Sequence, residues 1–447
     1  MRYKGKKKLN ARFYVFLAVT AAMVLFLSAG AYLLLTREDA SKKTIFAPEK
    51  KVESYEISLL CAGDIMEHEP QLKAQYDAAS GTYQFDNNYA YVKDLIQAAD
   101  LSLCNVETVF GGGQPEGYPL FNAPDSLAEA IKNAGFDVAF TANNHMLDQG
   151  GEGVLRSVDV LEGNGLEAVG SKTTPEEPNY ALVEVEDITV GLVAYTYETT
   201  GSGSRRLING LPVPQELSDQ ICSFNPARWE AETEKIAADL NQAQAAGADV
   251  LVCYLHWGEE YHTQPSQYQT KMAEKLIADT SVDVIFASHP HVLQPAQILY
   301  DQAEEKNVAL FYSMGNFISN QRSETLGNRL TEDGILAQVD FEITKTDDAV
   351  SKIELVRSTA LPTWVNRYGD GTGKYVYEIL PLTEDFESLA SLTASGHVDK
   401  ARQSVVDSLN LIGGGYTKDE KGRIVIFDKV AWLLANGYDE NGMKRES

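Results

Sequence analysis

Histidine is the residue to follow in this 447-residue chain. Only seven occur, and six of them, His68, His145, His256, His262, His289 and His291, stand at or within a few residues of the end of a short apolar run. The same run ends carry acids and amides. One passes into Gly63-Asp64-Ile65-Met66, a second ends Asn105-Val106-Glu107, and a third ends Thr141-Ala142-Asn143-Asn144-His145. Later ones end His256-Trp257-Gly258-Glu259-Glu260-Tyr261, Ser288-His289-Pro290-His291 and Ser313-Met314-Gly315-Asn316. A single histidine after a strand is usually a hydrogen-bonded structural residue, and a single aspartate there is usually a cap. Carboxylates, an amide and several imidazoles together suit a borderline divalent cation such as manganese, iron or zinc. His289 and His291 alternate, so in an extended segment both imidazoles face one ion. Glu260, Tyr261 and Asn316 stand where they would orient a ligand or touch a substrate.

These groups converge only if the runs are strands of one sheet system. Strand-like runs at Glu56–Ala62, Leu101–Cys104, Asp137–Thr141, Ile188–Tyr195, Asp249–Leu255, Asp283–Ala287 and Val308–Ser313 alternate with helix-period stretches. The helical stretches are Tyr89–Ala99, Ser126–Ala134, Gly153–Asn164, Pro226–Ala246 and Gln267–Asp279. Gly135 and Gly247 stand where helix C-caps should precede the next strand. Alternation of this kind predicts a layered α/β domain whose ligands gather at the carboxyl ends of its strands. Ile335–Ile343 and Lys352–Ala360 follow without a helix between them and predict antiparallel strands, and the chain after Pro381 reads as more helical. Gly111-Gly112-Gly113 lacks the helix a phosphate loop requires and reads as a turn.

The six motifs, in this order, resemble those of the capsule-synthesis CapA family over about residues 55–380. That family resembles the calcineurin-like metallophosphoesterases, so the resemblance implies a layered β-sandwich flanked by helices with one or two divalent ions on its edge. It implies Asp64, Asn144, His256, His289 and His291 as metal ligands, with Asn105 or Glu107 in the bridging region, Glu107 as the ligand and Asn105 behind the ligands or facing substrate. It also implies His145 as the acid next to Asn144. Met66 stands where the phosphoesterases have a histidine two residues after the first aspartate. His68 is one substitute for it; a packing or substrate-facing role is the other reading.

The N-terminus is basic, with Arg2, Lys4, Lys6, Lys7, Lys8 and Arg12, and is followed by an uncharged apolar run from Phe13 to Leu35. A helix of that length covers roughly 34 Å, enough for a hydrocarbon core of about 30 Å. It exceeds a secretory h-region, so a retained transmembrane helix is expected rather than cleavage near Ser28–Ala31. The basic flank predicts a cytoplasmic N-terminus and a main domain outside the cell membrane. The expected organisation is a basic cytoplasmic segment (1–12), a transmembrane helix (13–36), a tether (37–54), the main domain (55–380) and a helical C-terminal extension (381–447).

Residues 1–51 carry 11 Lys or Arg against 3 acids, a net of +8, which leaves −34 of the total −26 on the rest. Such a balance argues against nucleic-acid binding by bulk charge. Cys61, Cys104, Cys222 and Cys253 form no CxxC pair and read as buried thiols. The family resemblance implies a part in making, exporting or anchoring a capsular polymer, poly-γ-glutamate, beside synthase or export subunits. Two functions fit. One is a hydrolase of a phosphoester or amide that uses a cation to activate water, with His145 protonating the leaving group. The other is a non-catalytic assembly factor that binds the anionic polymer.

Overall fold

The structure is a computed structural model and describes residues 18–28, 31, 51–200, 205–347, 349–413, 415–436, 439, 443 and 444. Two compact units are present, Met1–Lys51 and Val52–Ser447. In the first, residues 18–28 are helical and exposed, and the rest of the expected span, apart from Ala31, lies outside the described residues. No helix among the described residues is long and apolar enough to cross a membrane.

The second unit is built from strands β1 (Val52–Ile65), β2 (Leu101–Val106), β3 (Val138–Phe140), β4 (Glu167–Val169), β5 (Ala181–Val185), β6 (Ile188–Tyr197), β7 (Ser223–Phe224) and β8 (Val250–His256). It continues with β9 (Val284–Ser288), β10 (Ala296–Asp301), β11 (Lys306–Phe311), β12 (Asn316–Ile318), β13 (Asp333–Thr346), β14 (Ala349–Gly369), β15 (Tyr375–Pro381), β16 (Thr417–Lys418) and β17 (Ile424–Asp428). One sheet has the order β16-β17-β14-β13-β1-β2-β3-β4, with β12 also on β1 and β15 on β14. The other has the order β7-β6-β8-β9-β11-β10, with β5 on β6. β1 to β4 run parallel, as do β6, β8, β9 and β11, so each sheet sends several carboxyl ends to one edge.

The two-residue period of the strands explains the layering. Along β1, Ile57, Leu59 and Cys61 enter a core shared with Val190, Leu192 and Ala194 of β6 and Val250, Val252 and Tyr254 of β8. The alternate residues Leu60 and Ala62 face outward, onto a second core with Leu127, Ile131, Val158 and Leu161 of the helices Ser126–Ala134 and Gly150–Gly163. On the other sheet, Val193, Leu251, Cys253 and Leu255 meet Ile236, Leu240, Met272 and Leu276 of the helices Trp229–Ala245 and Gln267–Asp279. This second unit is therefore a mixed α/β sandwich, with helices outside and two sheets inside. Strands buried on both faces read as near-continuous apolar runs.

The expected helix over Tyr89–Ala99 is instead two short turns, Asp86–Tyr89 and Lys93–Ile96. Phe85, Tyr89, Val92 and Ile96 are all drawn into the core, and that spacing is met by separate turns. After Pro381 the helix Val398–Gly413 is present, but β17 also pairs onto β14 and β16 onto β17, which widens the first sheet. β1 begins at Val52, where it pairs with Thr346, three residues before the domain start read from the sequence.

Candidate metal centre

The acids reach the edge by two local devices. In β2, Leu101 and Leu103 face the inter-sheet core, so parity carries Asn105 and Glu107 onto that same face. In β1, parity alone would turn Asp64 the other way. The register between β1 and β2 shifts between Ala62 and Asp64, so Asp64 pairs with Asn105. This bulge at Gly63 turns the carboxylate inward. Only glycine fits there, because a Cβ would lie 2.0 Å from the Gly315 oxygen, the acceptor for the Asp64 N–H.

The imidazoles come from the other sheet. His256 ends β8 on the face of Val252 and Tyr254, above the stacked pair Phe140–Tyr254 at 4.3 Å. His289 and His291 lie just after β9. The segment is not extended as the sequence reading supposed: His289 has φ 104° and His291 φ 57°. Left-handed backbone at non-glycine residues costs of order 1–3 kcal/mol each and collects at functional sites. The two rings still approach each other, at 5.8 Å between centroids, because the tight turn, rather than alternation, aims them.

Asp64, Glu107, Asn144, His256, His289 and His291 are all buried together. His256 Nε2 lies 2.7 Å from Asn144 Oδ1 and 3.6 Å from Glu107 Oε1. His291 Nδ1 lies 3.1 Å from Asp64 Oδ2, and its Nε2 lies 3.8 Å from Glu107 Oε1. Two triads of donor atoms, Glu107-His289-His291 and Asp64-Glu107-His256, each fall within 4.8 Å and share Glu107. Asn105 donates its amide to Asp64 Oδ1 at 2.7 Å and so braces that carboxylate.

Neither oxygen of Glu107 has a hydrogen-bond partner, and neither does His289 Nδ1. A buried carboxylate without donors is expensive, and the atoms it faces are ligand atoms. Burial, then the Asp64 charge, pushes the Glu107 carboxyl well above the usual range. Burial holds His256 down at about 3 and His289 well below the ordinary imidazole value. Both therefore keep neutral lone pairs available to a cation. Burial works against charge on His291 and on Asp64 alike, but their mutual hydrogen bond outweighs it, raising the one and lowering the other. This donor set fits a divalent cation: neutral imidazoles, an amide oxygen and a carboxylate lacking any other counter-charge.

His145 stands beside this group. Its Nδ1 lies 2.7 Å from Asp148 Oδ2, which also accepts the Phe121 N–H at 2.7 Å. The Phe121 ring meets the imidazole edge-on at 4.6 Å. Asp148 did not stand out in the sequence, although it lies three residues past His145. Tyr197, whose ring is 4.5 Å from that of His289, was missed too, since a tyrosine ending an apolar strand looks like core.

His68 is placed differently. It precedes the helix Glu69–Gln75, its Nδ1 lies 3.2 Å from Gln71 Oε1 and takes the Asn320 N–H at 3.3 Å, and its ring packs on Phe121. Tyr261 lies at the mouth, 39% exposed, with its ring 6.1 Å from His291 and its N–H donating to Pro290 O. Glu260 beside it is exposed. Exposed His262 pairs loosely with Glu259, at 3.6 Å.

The family model of the bacterial capsule synthesis protein PGA_cap matches residues 58–321. The chain belongs to that family. It is 26% identical over 344 residues to the capsule biosynthesis protein CapA of Bacillus anthracis, spanning 75% of this chain and 74% of that protein. It is 25% identical over 373 residues to the PGA biosynthesis protein CapA of Bacillus subtilis (strain 168), covering 80% and 84%. Among solved structures, the Bacillus subtilis calcineurin-like phosphoesterase YfkN is similar at 16% identity, with a TM-score of 0.38, over 79% of this chain and 99% of that one. A Mycoplasma pneumoniae phosphatase is similar at 16% identity and a TM-score of 0.36, over 69% and 95%.

Proposed function

We propose that this PGA_cap-family protein is a divalent-metal-dependent hydrolase acting on a capsular polymer, poly-γ-glutamate, or on a phosphoester in its synthesis or export. It works outside the cell membrane, tethered by its N-terminal apolar segment beside synthase or export subunits. The observation that carries the catalytic reading is Glu107, a buried carboxylate with both oxygens unpartnered among three imidazoles. The capsule-biosynthesis names of the two CapA relatives support the polymer. The basic flank and apolar run from Phe13 to Leu35 support the topology.

Asp64, Glu107, Asn144, His256, His289 and His291 would hold one or two ions. A bound divalent cation supplies Lewis acidity toward an ester or amide oxygen and acidifies water. The chain's own residues do the rest. Asp148 fixes the tautomer and tilt of His145, leaving Nε2 to carry the proton that the leaving group needs. Tyr261 offers a half-exposed phenol at the entrance. The −34 carried outside the first 51 residues repels a polyanion at long range, but screening beyond about 8–10 Å leaves a local, cation-mediated contact open.

The test uses the full chain in its membrane, stripped with chelator and reloaded with manganese or zinc, on phosphodiesters and γ-glutamyl polymers. Turnover that disappears on stripping and returns on reloading is expected. Metal-replete protein that turns over neither substrate would leave only the polymer-binding assembly role.

A further inference from the structure

We propose that Asn316, brought to the metal centre by β12, is a metal ligand. The assignment rests on the metal-centre reading above. β12 brings an amide from elsewhere in the chain to the same edge. It pairs parallel to β1 with Asn316 directly abreast of Asp64, and the register slips immediately afterwards. The side chain is fully buried.

Its amide orientation is fixed by what surrounds it. Nδ2 donates to Thr331 O at 2.9 Å and to Gln321 Oε1 at 3.1 Å, so both hydrogens are used facing away from the site. The carbonyl oxygen is thereby aimed inward, 3.1 Å from His291 Nδ1. That same nitrogen lies 3.1 Å from Asp64 Oδ2. An imidazole nitrogen carries at most one proton, yet it faces two oxygens at equal distance. The two 3.1 Å separations from His291 Nδ1, to Asp64 Oδ2 and to Asn316 Oδ1, match ligand atoms at neighbouring corners around one cation. Ligands at about 2.1–2.2 Å and right angles are about 3 Å apart. The competing arrangement is a shared hydrogen bond from His291 to both oxygens, in which Asn316 touches no ion.

Cobalt(II) binding to the full chain separates these arrangements, because a thiolate ligand gives cobalt a charge-transfer band in the near ultraviolet that hydrogen bonding cannot. Asn316→Cys loaded with cobalt should show that band, while wild type and Ser319→Cys, a buried control in the same loop, should not. Cobalt bound at wild-type stoichiometry without the band overturns the assignment and leaves the metal centre standing. Failure of wild type to bind cobalt, manganese or zinc overturns the metal centre and this assignment with it. A second variant guards against misfolding: Asn316→Asp should bind manganese several-fold more tightly, since a carboxylate replaces an amide at the ion. Unchanged or weaker manganese affinity in Asn316→Asp counts against ligation.

Discussion

Replacing Glu107 by glutamine should move stability in opposite directions with and without metal. The carboxylate is fully buried, its oxygens have no donors, and Asp64 stands close by. In the metal-free protein a buried polar group left without a partner costs about 1–3 kcal/mol. Glutamine keeps the shape and cannot ionise, so once the wild-type carboxyl is charged the metal-free variant should be the more stable by an amount of that order. At roughly 2 °C per kcal/mol in a large domain, the midpoint should rise by a few degrees. Most substitutions at fully buried positions lower stability, so even the sign is informative.

The advantage should also widen with pH. The folded carboxyl titrates above its unfolded value, so wild type has the full benefit of the protonated form below about pH 4.3 and loses it as pH rises through the elevated folded value. Metal reverses the order. At a concentration 100 times its dissociation constant, a cation stabilises wild type by about 2.7 kcal/mol, whereas the variant should gain little. Differential scanning calorimetry after chelation, repeated with manganese at pH 6 and pH 8, measures all four states. If glutamine destabilises the metal-free protein by more than about 1 kcal/mol, or if metal stabilises both proteins equally, Glu107 is not the unpaired charge at a metal centre.

Other expectations concern chemistry, linkage and topology. His145→Ala should keep near-normal metal content by elemental analysis and lose roughly 100-fold or more in turnover, and Asp148→Asn should lower the rate constant with little change in KM. Metal loss in His145→Ala would place that residue among the ligands instead. Burial pushes the Asp333 carboxyl up to about 7, against the pull of Arg329 at 3.5 Å. Its folded value lies above the unfolded one, so stability present below about pH 4 is lost as pH rises toward 7. Asp333→Asn should therefore raise the melting midpoint more at pH 8 than at pH 5, and an equal shift at both would refute that environment. External protease should remove the acidic domain from intact protoplasts, and protection from it would refute the extracytoplasmic topology.

What the sequence disclosed and what it hid follow from the range of the interactions involved. Strands and helices of ordinary length were legible because each carries its own period. Ile188–Tyr197 and Gln267–Asp279 are set by apolar spacing that needs no knowledge of the partner sheet. Histidines after strand ends were legible for the same reason, since strand direction alone sends them to one edge. The inward turn of Asp64 was not, because it depends on the bulge at Gly63, where the distant Gly315 carbonyl leaves no room for a side chain. Nor was the true path of His289 and His291, whose left-handed φ values are held by the packed loop rather than by local preference. Asn105 and Glu107 stood as alternatives in sequence, and their partners divide them. One amide hydrogen-bonds Asp64, while the oxygens of the other side chain have no hydrogen-bond partner. Local pattern thus locates the edge, and long-range packing decides which atoms on it remain free. At this edge Glu107 and His289 Nδ1 are the atoms the fold leaves free, and they stand among the ligand atoms a cation would take.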